Sequence, residues 1–245
     1  MGEIIMREIC NNCKIKGRIK EYKEKLNKSI ENRNGDLLDD EVVLLSQFLD
    51  NFVYKCVCCN KNIKDLSKLN LRDVFGTHTT LYYYGEQHLL VNLYFYINEG
   101  IKNNELIYIS MEEDLYNKLL DFFRINNIST ENIKFRNVKE LILGHKKGGF
   151  NGLVETAMGI LGSSNIEKYN GLRWIGQPSF AIKGTSENDF IEMEEDLNKF
   201  IKNMNVALLC VYDAYDYMHK GKIINKKVIE ESFKTHSFVL NNYVS

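Results

Sequence analysis

The alternation of strand-like and helix-like segments over the last two thirds of the chain constrains the fold most. Short apolar runs predict strands at residues 80–84, 106–110, 133–135, 172–175, 206–212 and 238–240. Amphipathic stretches between them predict helices near residues 87–99, 113–126, 151–167, 188–203 and 226–235. Because this alternation favours parallel strands joined by crossover helices, we expect an α/β domain with a mainly parallel sheet and helices on both faces.

The segment that precedes this domain, residues 15–59, predicts two helices joined by a turn. Apolar side chains recur at three- and four-residue steps in both helices, at Ile15, Ile19, Tyr22, Leu26 and Ile30 and then at Val42, Leu45, Leu49 and Phe52. Asn34-Gly35-Asp36 supplies a tight reversal between them, and Asp39 or Asp40 can cap the second helix. The result is a small antiparallel hairpin. It is too small to bury much surface alone, so we expect it to dock on the rest of the chain, to form a homodimer or to complete its core on a partner.

These patterns divide the chain into a helical hairpin at residues 1–60, a linker at 61–76 and an α/β domain at 77–245. A formal net charge of -1 argues against non-specific nucleic-acid binding, which depends on neutralised phosphates. The sequence has no apolar run long enough to span a bilayer and no secretory leader. We therefore expect a cytoplasmic protein with no nucleic-acid and no membrane partner.

Five of the six cysteines lie in the first quarter of the chain, and only Cys210 lies beyond it. Antiparallel packing of the hairpin brings the end of the second helix back to the start of the first. The cysteines at that end would supply a four-thiolate site for zinc or an iron-sulfur cluster, with Cys10, Cys13, Cys56 and Cys59 as ligands. A reactive thiol pair and plainly buried cysteines are equally compatible with the spacing.

Three polar residues, Ser46, Gln47 and Asp50, share one strip of the second helix beside its apolar stripe. From periodicity alone, a solvent-facing surface is the ordinary interpretation of such a strip. We therefore expect Asp50→Asn to leave folding nearly unchanged.

Residues 41–50, Glu-Val-Val-Leu-Leu-Ser-Gln-Phe-Leu-Asp, resemble the stage-zero sporulation protein E family of aspartyl-phosphate phosphatases. The family hallmark is Ser-Gln-Glu-Leu-Asp, and Phe48 replaces its glutamate here. The resemblance implies dephosphorylation of a response-regulator aspartate in the sporulation phosphorelay, with Mg²⁺ supplied by the regulator. Gln47 would orient the attacking water, Asp50 would accept its proton and Ser46 would position the other two. A non-catalytic adaptor that binds the regulator, with the cysteines as a metal or redox switch, is the alternative.

The α/β segment resembles the opening of RecA or KaiC-type ATPases, but it lacks their phosphate-binding Gly-x-x-x-x-Gly-Lys-Ser/Thr loop. The glycine-rich residues 144–149 lack that order and predict a mobile loop. Asp213 ends a strand as a Walker-B-type acid would, yet one acid without the lysine loop makes a poor triphosphate site. We expect no ATP binding, and a nucleotide hydrolase is the least favoured interpretation.

The same segment resembles the MEDS domain of methanogen and methylotroph DcmR-type sensors. The matching residues are His78, Tyr82, Glu86, Gly100, Glu105, Arg173, Trp174, Gly176, Gln177, Glu194, the run 210–213 and the run 236–240. The resemblance implies a degenerate nucleotide-type fold that senses a small molecule of unknown identity. Its candidate ligand-binding residues are His78, Tyr82, Glu86, Arg173, Gln177 and Asp213. Glu86, Gln177 and Asp213 should lie together, because ligands in such sheets bind at the carboxyl ends of the strands.

Overall fold

The computed structural model describes residues 14–59 and 66–241. Its centre is a sheet of seven strands in the order β1-β7-β2-β6-β5-β3-β4, and every strand pair is parallel. The strands are β1 (Ser67–Lys68), β2 (His78–Tyr83), β3 (Leu106–Ser110), β4 (Ile133–Phe135), β5 (Leu172–Gly176), β6 (Val206–Asp213) and β7 (Phe238–Val239). The predicted α/β class with a parallel sheet is confirmed.

The central strands explain why helices cover both faces of this sheet. β2 and β3 are buried at every residue, and β6 is buried up to its last residue. Alternate side chains of a strand point to opposite faces, so burial of all of them requires cover on both sides. β2 and β6 pair from His78 beside Leu208 to Tyr83 beside Asp213, which places their carboxyl ends side by side.

Nine α-helices connect and flank these strands in the described part of the chain. They are α1 (Lys14–Asn32), α2 (Asp40–Cys58), α3 (Glu86–Lys102), α4 (Glu113–Ile125), α5 (Lys139–Gly162), α6 (Pro178–Gly184), α7 (Glu187–Ile201), α8 (Ala214–His219) and α9 (Lys226–Thr235). Of residues 144–149, which were predicted as a mobile loop, 144–147 are helical, and the chain turns at Gly148 and Gly149 between the two helical halves of α5. The helical backbone breaks at Gly148 and Gly149, and the positive φ of 56° at Gly149 is one that glycine adopts without steric cost.

The two-helix hairpin forms as predicted and docks on the α/β domain. Asn34 and Gly35 have positive φ at the reversal, and the Asp39 carboxylate accepts from the backbone N–H of Glu41 to cap α2. The segment predicted as a linker contributes β1, which pairs with β7 at the edge of the sheet. Within residues 14–59 and 66–241, no helix combines the length and the apolar character needed to cross a bilayer.

Candidate functional site

Two of the three hallmark residues of α2 are buried inside the molecule. Ser46 is 0% exposed and Asp50 is 3% exposed, so the expectation that their strip faces solvent is wrong for both. The reason is that α2 packs on α3 as well as on α1, and periodicity within one helix cannot reveal a second partner. Gln47 is half-buried, and Phe48, which replaces the glutamate of the hallmark, is exposed.

Helix α3 meets this strip with two polar side chains one turn apart. Oδ1 of Asp50 lies 2.8 Å from Nε2 of His88, and Nδ2 of Asn92 donates to Oγ of Ser46 at 3.3 Å. The backbone N–H of Tyr84 donates to Nδ1 of His88 at 3.0 Å, so Nδ1 carries no proton. The proton of the neutral ring is then on Nε2, which faces the carboxylate. His88 is thereby held in the tautomer that suits Asp50.

The opposite side of α2 remains open to solvent. Leu44 and Phe48, one helical turn apart, are 51% and 41% exposed, and the Phe48 ring contacts Tyr22 of α1 at a centroid distance of 5.6 Å. Leu44 and Phe48 therefore form a small apolar patch on the side of α2 that faces away from α3.

Lys23 of α1 lies at the carboxyl end of β2. Its Nζ is 5.3 Å from the ring centroids of both Tyr84 and Tyr215, within the range of a cation–π contact. Only Tyr84 and Gly85 separate β2 from α3, which is too short a connection to wrap a phosphate group as a P-loop does. Gly85 has a φ of 94°, and a Cβ there would lie 3.3 Å from Cε of Lys23. The hairpin thus fills the space next to this strand end.

A second polar group lies deep in the α/β domain, between the sheet and helices α7 and α9. It consists of His78 on β2, Glu194 on α7, Cys210 on β6 and His236 just after α9, and all four are buried. One ligand-type atom from each lies within 4.8 Å of the others. In the part of the chain that the structure describes, this is the one group of three or more such residues that could hold a metal ion.

The buried setting keeps this group electrically neutral when no cation is bound. Burial raises the pKa of Glu194 to about 8 and lowers the pKa of His78 to about 4. Burial, together with the neighbouring Glu194, also raises the pKa of the Cys210 thiol. Burial and the adjacent His78 ring hold the pKa of His236 well below its ordinary value. A carboxylic acid, a thiol and two neutral imidazoles therefore face one another at neutral pH.

An apolar cavity of about 40 Å³ adjoins this group. Glu194 and Cys210 form part of its wall, and Trp174, Gln177 and Leu208 are among the other lining residues. A single water needs roughly 10–15 Å³ of such space. The cavity therefore has room for a ligand of only a few heavy atoms.

The predicted ligand residues do not all reach this cavity. Gln177 lines it and donates from Nε2 to the Tyr83 hydroxyl at 3.1 Å. The hydroxyl of Tyr82 is buried 2.7 Å from Oγ of Ser232. At the carboxyl ends of the strands, Asp213 accepts from two backbone N–H groups of α8, and Glu86 forms an exposed ion pair with Lys118.

Arg173 lies in the core, where each nitrogen of its side chain has a local acceptor. Its guanidinium pairs with Glu105 and donates to the carbonyl oxygens of Tyr96 and Leu71 at 3.0 and 2.9 Å. Gly100 leaves the space for this group, because a Cβ there would lie 2.9 Å from Nε of Arg173. The spacing between Gly100 and Glu105 is thus explained by the packing of one buried ion pair.

The predicted thiolate site lies partly outside the described residues. Cys10 and Cys13 belong to that outside part, whereas Cys56 is buried and Cys59 half-buried at the end of α2. The zinc or iron-sulfur prediction for this end of the hairpin therefore stays a prediction.

Sequence reasoning missed the partners that complete both polar groups. His88 and Asn92 had no sequence signal beyond their i, i+4 spacing on an otherwise apolar helix. Glu194, Cys210 and His236 belonged to the pattern of resemblance but were not predicted as site residues. They come from three distant parts of the chain, and only the sheet order brings them to His78.

Comparison with known protein families gives two matches, in the order in which the two parts occur in the chain. Residues 15–57 match the family described as Spo0E like sporulation regulatory protein. Residues 77–237, about two thirds of the chain, match the family described as MEDS, the MEthanogen/methylotroph, DcmR Sensory domain. No curated protein matches the chain. The two families together indicate a sporulation-related signalling protein.

Proposed function

The chain belongs to the MEDS family, and from that premise we propose that it is a sensor-regulated phosphatase of a response-regulator aspartyl phosphate. The hairpin carries out the chemistry in this proposal, and the MEDS domain controls access to it. The observation that carries the proposal is the contact of Asp50 with His88 and of Ser46 with Asn92. It joins the hallmark residues of one family to the first helix of the other.

The chemistry assigned to the hairpin follows from what an acyl phosphate needs. Its hydrolysis requires a water in line with the leaving carboxylate, and the regulator's own acidic pocket supplies Mg²⁺. Gln47 orients this water, Asp50 accepts its proton, and Ser46 positions the other two. The basic helix α1 suits an acidic docking surface, and Leu44 and Phe48 add an exposed apolar contact.

Control by the MEDS domain follows from the burial of Asp50. A carboxylate that is 3% exposed cannot reach a phosphoryl group on another protein, so catalysis requires α2 to separate from α3. A small molecule in the cavity beside Glu194 and Cys210 is the proposed signal that changes this docking. ATP is not expected to be that signal, since β2 and α3 are joined by two residues only.

A non-catalytic adaptor is the second candidate, and the same burial favours it. If Ser46 and Asp50 serve only to attach the hairpin to α3, the open side with Phe48 would bind the regulator without hydrolysing its phosphate. The chain would then sequester the regulator, and its effect would require stoichiometric amounts.

The test measures the lifetime of the phosphoryl group on each of a panel of response regulators, with the regulator in large molar excess over the chain. The variants are the wild type, the released variant His88→Ala with Asn92→Ala, and the same released variant with Asp50→Asn. Asn98→Ala on α3 is the matched control, because it changes the same helix away from the contact. We expect the released variant to be the faster phosphatase, and Asp50→Asn to slow it by about a hundredfold or more.

Two outcomes would contradict the phosphatase proposal. The first is phosphoryl loss that never exceeds the spontaneous rate at catalytic ratios, with protection only at equal amounts, which supports the adaptor. The second is full turnover by the released variant that carries Asp50→Asn, which removes Asp50 from the chemistry.

A further inference from the structure

We propose that His78, Glu194, Cys210 and His236 form a binding site for one divalent transition-metal ion of the Zn²⁺ class. The site is separate from the hairpin and its hallmark residues, and it does not depend on the phosphatase proposal. Four side chains from β2, α7, β6 and the segment after α9 converge on one point in the core.

Several of the distances between the ligand atoms are close to those of a tetrahedral centre. With Zn–N near 2.0 Å and Zn–S near 2.3 Å, two ligands of a tetrahedral ion lie about 3.3–3.6 Å apart. Nε2 of His78 lies 3.4 Å from Sγ of Cys210 and 3.5 Å from Oε2 of Glu194. Sγ of Cys210 is 3.5 Å from Oε1 of Glu194, and Nε2 of His236 is 3.7 Å from Oε2. The ligand atoms all lie within 4.8 Å of one another, so a tetrahedral ion would draw the most separated pair together by up to about an ångström.

The atoms that face this point lack other hydrogen-bond partners among the described residues. Oε2 of Glu194 and Nε2 of His236 are fully buried and accept no hydrogen bond there. Leaving buried acceptors unsatisfied is costly, and a cation bound between these two atoms would satisfy both of them. His236 also has the right tautomer. Its Nδ1 donates to the carbonyl oxygen of Ser232 at 2.8 Å, which leaves Nε2 without a proton and ready to bind a metal.

The donor set selects the class of metal. Mg²⁺ and Ca²⁺ prefer oxygen ligands, and three of these four donors are nitrogen or sulfur. Two imidazoles, one thiolate and one carboxylate suit Zn²⁺, and Co²⁺ occupies such sites as a spectroscopic substitute. Ionised Cys210 and Glu194 neutralise a divalent cation, so the bound site carries no net charge in the core. Glu194 and Cys210 also form part of the cavity wall, so the proposed metal site borders that cavity.

The experiment measures metal in the full-length protein purified under reducing conditions and then dialysed against Zn²⁺ or Co²⁺. We expect about one equivalent that depends on these ligands. Glu194→Gln keeps the shape of the side chain, so it tests the charge without opening a cavity, and it should weaken Zn²⁺ binding by at least about tenfold. Cys210→Ser should abolish the thiolate-to-Co²⁺ charge-transfer band of this site.

Two control variants distinguish metal binding at this site from a packing effect and from binding at the hairpin cysteines. Met193→Leu changes a buried neighbour of Glu194 that is not a ligand, and it should retain the metal. The double variant Cys56→Ser, Cys59→Ser removes the ligands of the predicted hairpin site and should also retain this equivalent.

Three results would overturn the proposal. They are wild-type protein that binds no Zn²⁺ above the dialysis background, Glu194→Gln and Cys210→Ser proteins that bind as the wild type does, and a metal that is lost only with the hairpin cysteines. Circular dichroism of each variant identifies any that fail to fold. Such a variant is replaced by His236→Gln, for which the same loss of metal is expected.

Discussion

Breaking the contact between Asp50 and His88 should destabilise the protein far more than breaking an exposed pair of the same length. The Asp50–His88 contact is 2.8 Å long, and the two side chains are 2% and 0% exposed. The Lys118–Glu86 pair is 2.7 Å long, but its side chains are 55% and 38% exposed. Burial is the main difference between the two pairs.

The expected magnitudes follow from that difference. Replacing His88 by Ala removes the imidazole that lies against a buried carboxyl group, and removing one partner of a buried pair costs about 3–5 kcal/mol in the free energy of unfolding. The double-mutant cycle of Asp50→Ala with His88→Ala should give a coupling of about 1–3 kcal/mol, the upper part of the range for residues in direct contact, because both side chains are buried. The cycle of Lys118→Ala with Glu86→Ala should give less than about 1 kcal/mol, because water screens that pair.

Urea denaturation of the four proteins of each cycle, followed by circular dichroism and fluorescence, measures these values. Coincident transitions by both probes establish that the hairpin and the α/β domain unfold together, as the cycle requires. A buried-pair coupling no larger than the exposed-pair coupling would refute the argument that α3 holds the hallmark face. Asp50→Asn, which was expected from sequence to be nearly neutral, should now be measurably destabilising.

Three further predictions concern other parts of the molecule. Gly100→Ala should lower the free energy of unfolding by about 1–3 kcal/mol, because the added Cβ would lie 2.8 Å from the nearest side chain. Gly159→Ala has open space around it and should raise the free energy of unfolding by up to about 1 kcal/mol. Urea denaturation measures both values. Leu49→Ala should cost about 2–5 kcal/mol because Leu49 is fully buried, and Leu44→Ala on the exposed side of the same helix should stay within about 0.5 kcal/mol in the same assay. In metal-free protein the pKa of the Glu194 carboxyl is raised from 4.5 to about 8, so protonation of this group favours the folded state. This contribution to stability is complete below pH 4.5 and is lost as the pH rises through 8. Wild-type stability should therefore fall between pH 6.5 and 8 in thermal melts with a chelator present, and Glu194→Gln should remove that fall.

The parts of the fold that sequence predicted are those with strong local periodicity. The strands at 106–110 and 133–135 and the helix at 226–235 have the predicted bounds, because buried apolar runs and amphipathic repeats are local signals. The hairpin was predicted for the same reason, since its turn residues Asn34 and Gly35 favour the positive φ that they adopt.

The parts that sequence could not predict depend on contacts between distant segments. β1 is two residues long and exposed, so only its pairing with β7 defines it as a strand. The burial of Asp50 depends on His88, which belongs to the other family match. His78, Cys210 and His236 were noted individually, but nothing in their spacing places them around Glu194. Side chains that meet only through tertiary packing show no regular spacing in the sequence, so periodicity cannot predict their contacts.

The pairing of β1 with β7 also has a consequence for how the chain folds. Ser67 and Phe238 are paired although about 170 residues separate them along the chain. Contacts of such high sequence separation close large loops, and they form late and slowly. The hairpin is made of local contacts, so it forms early in biosynthesis, well before the segment that follows α9 has been synthesised. A newly made chain therefore passes through an interval in which its hallmark residues are uncovered, and that interval lasts until α3 has been synthesised and has packed on α2.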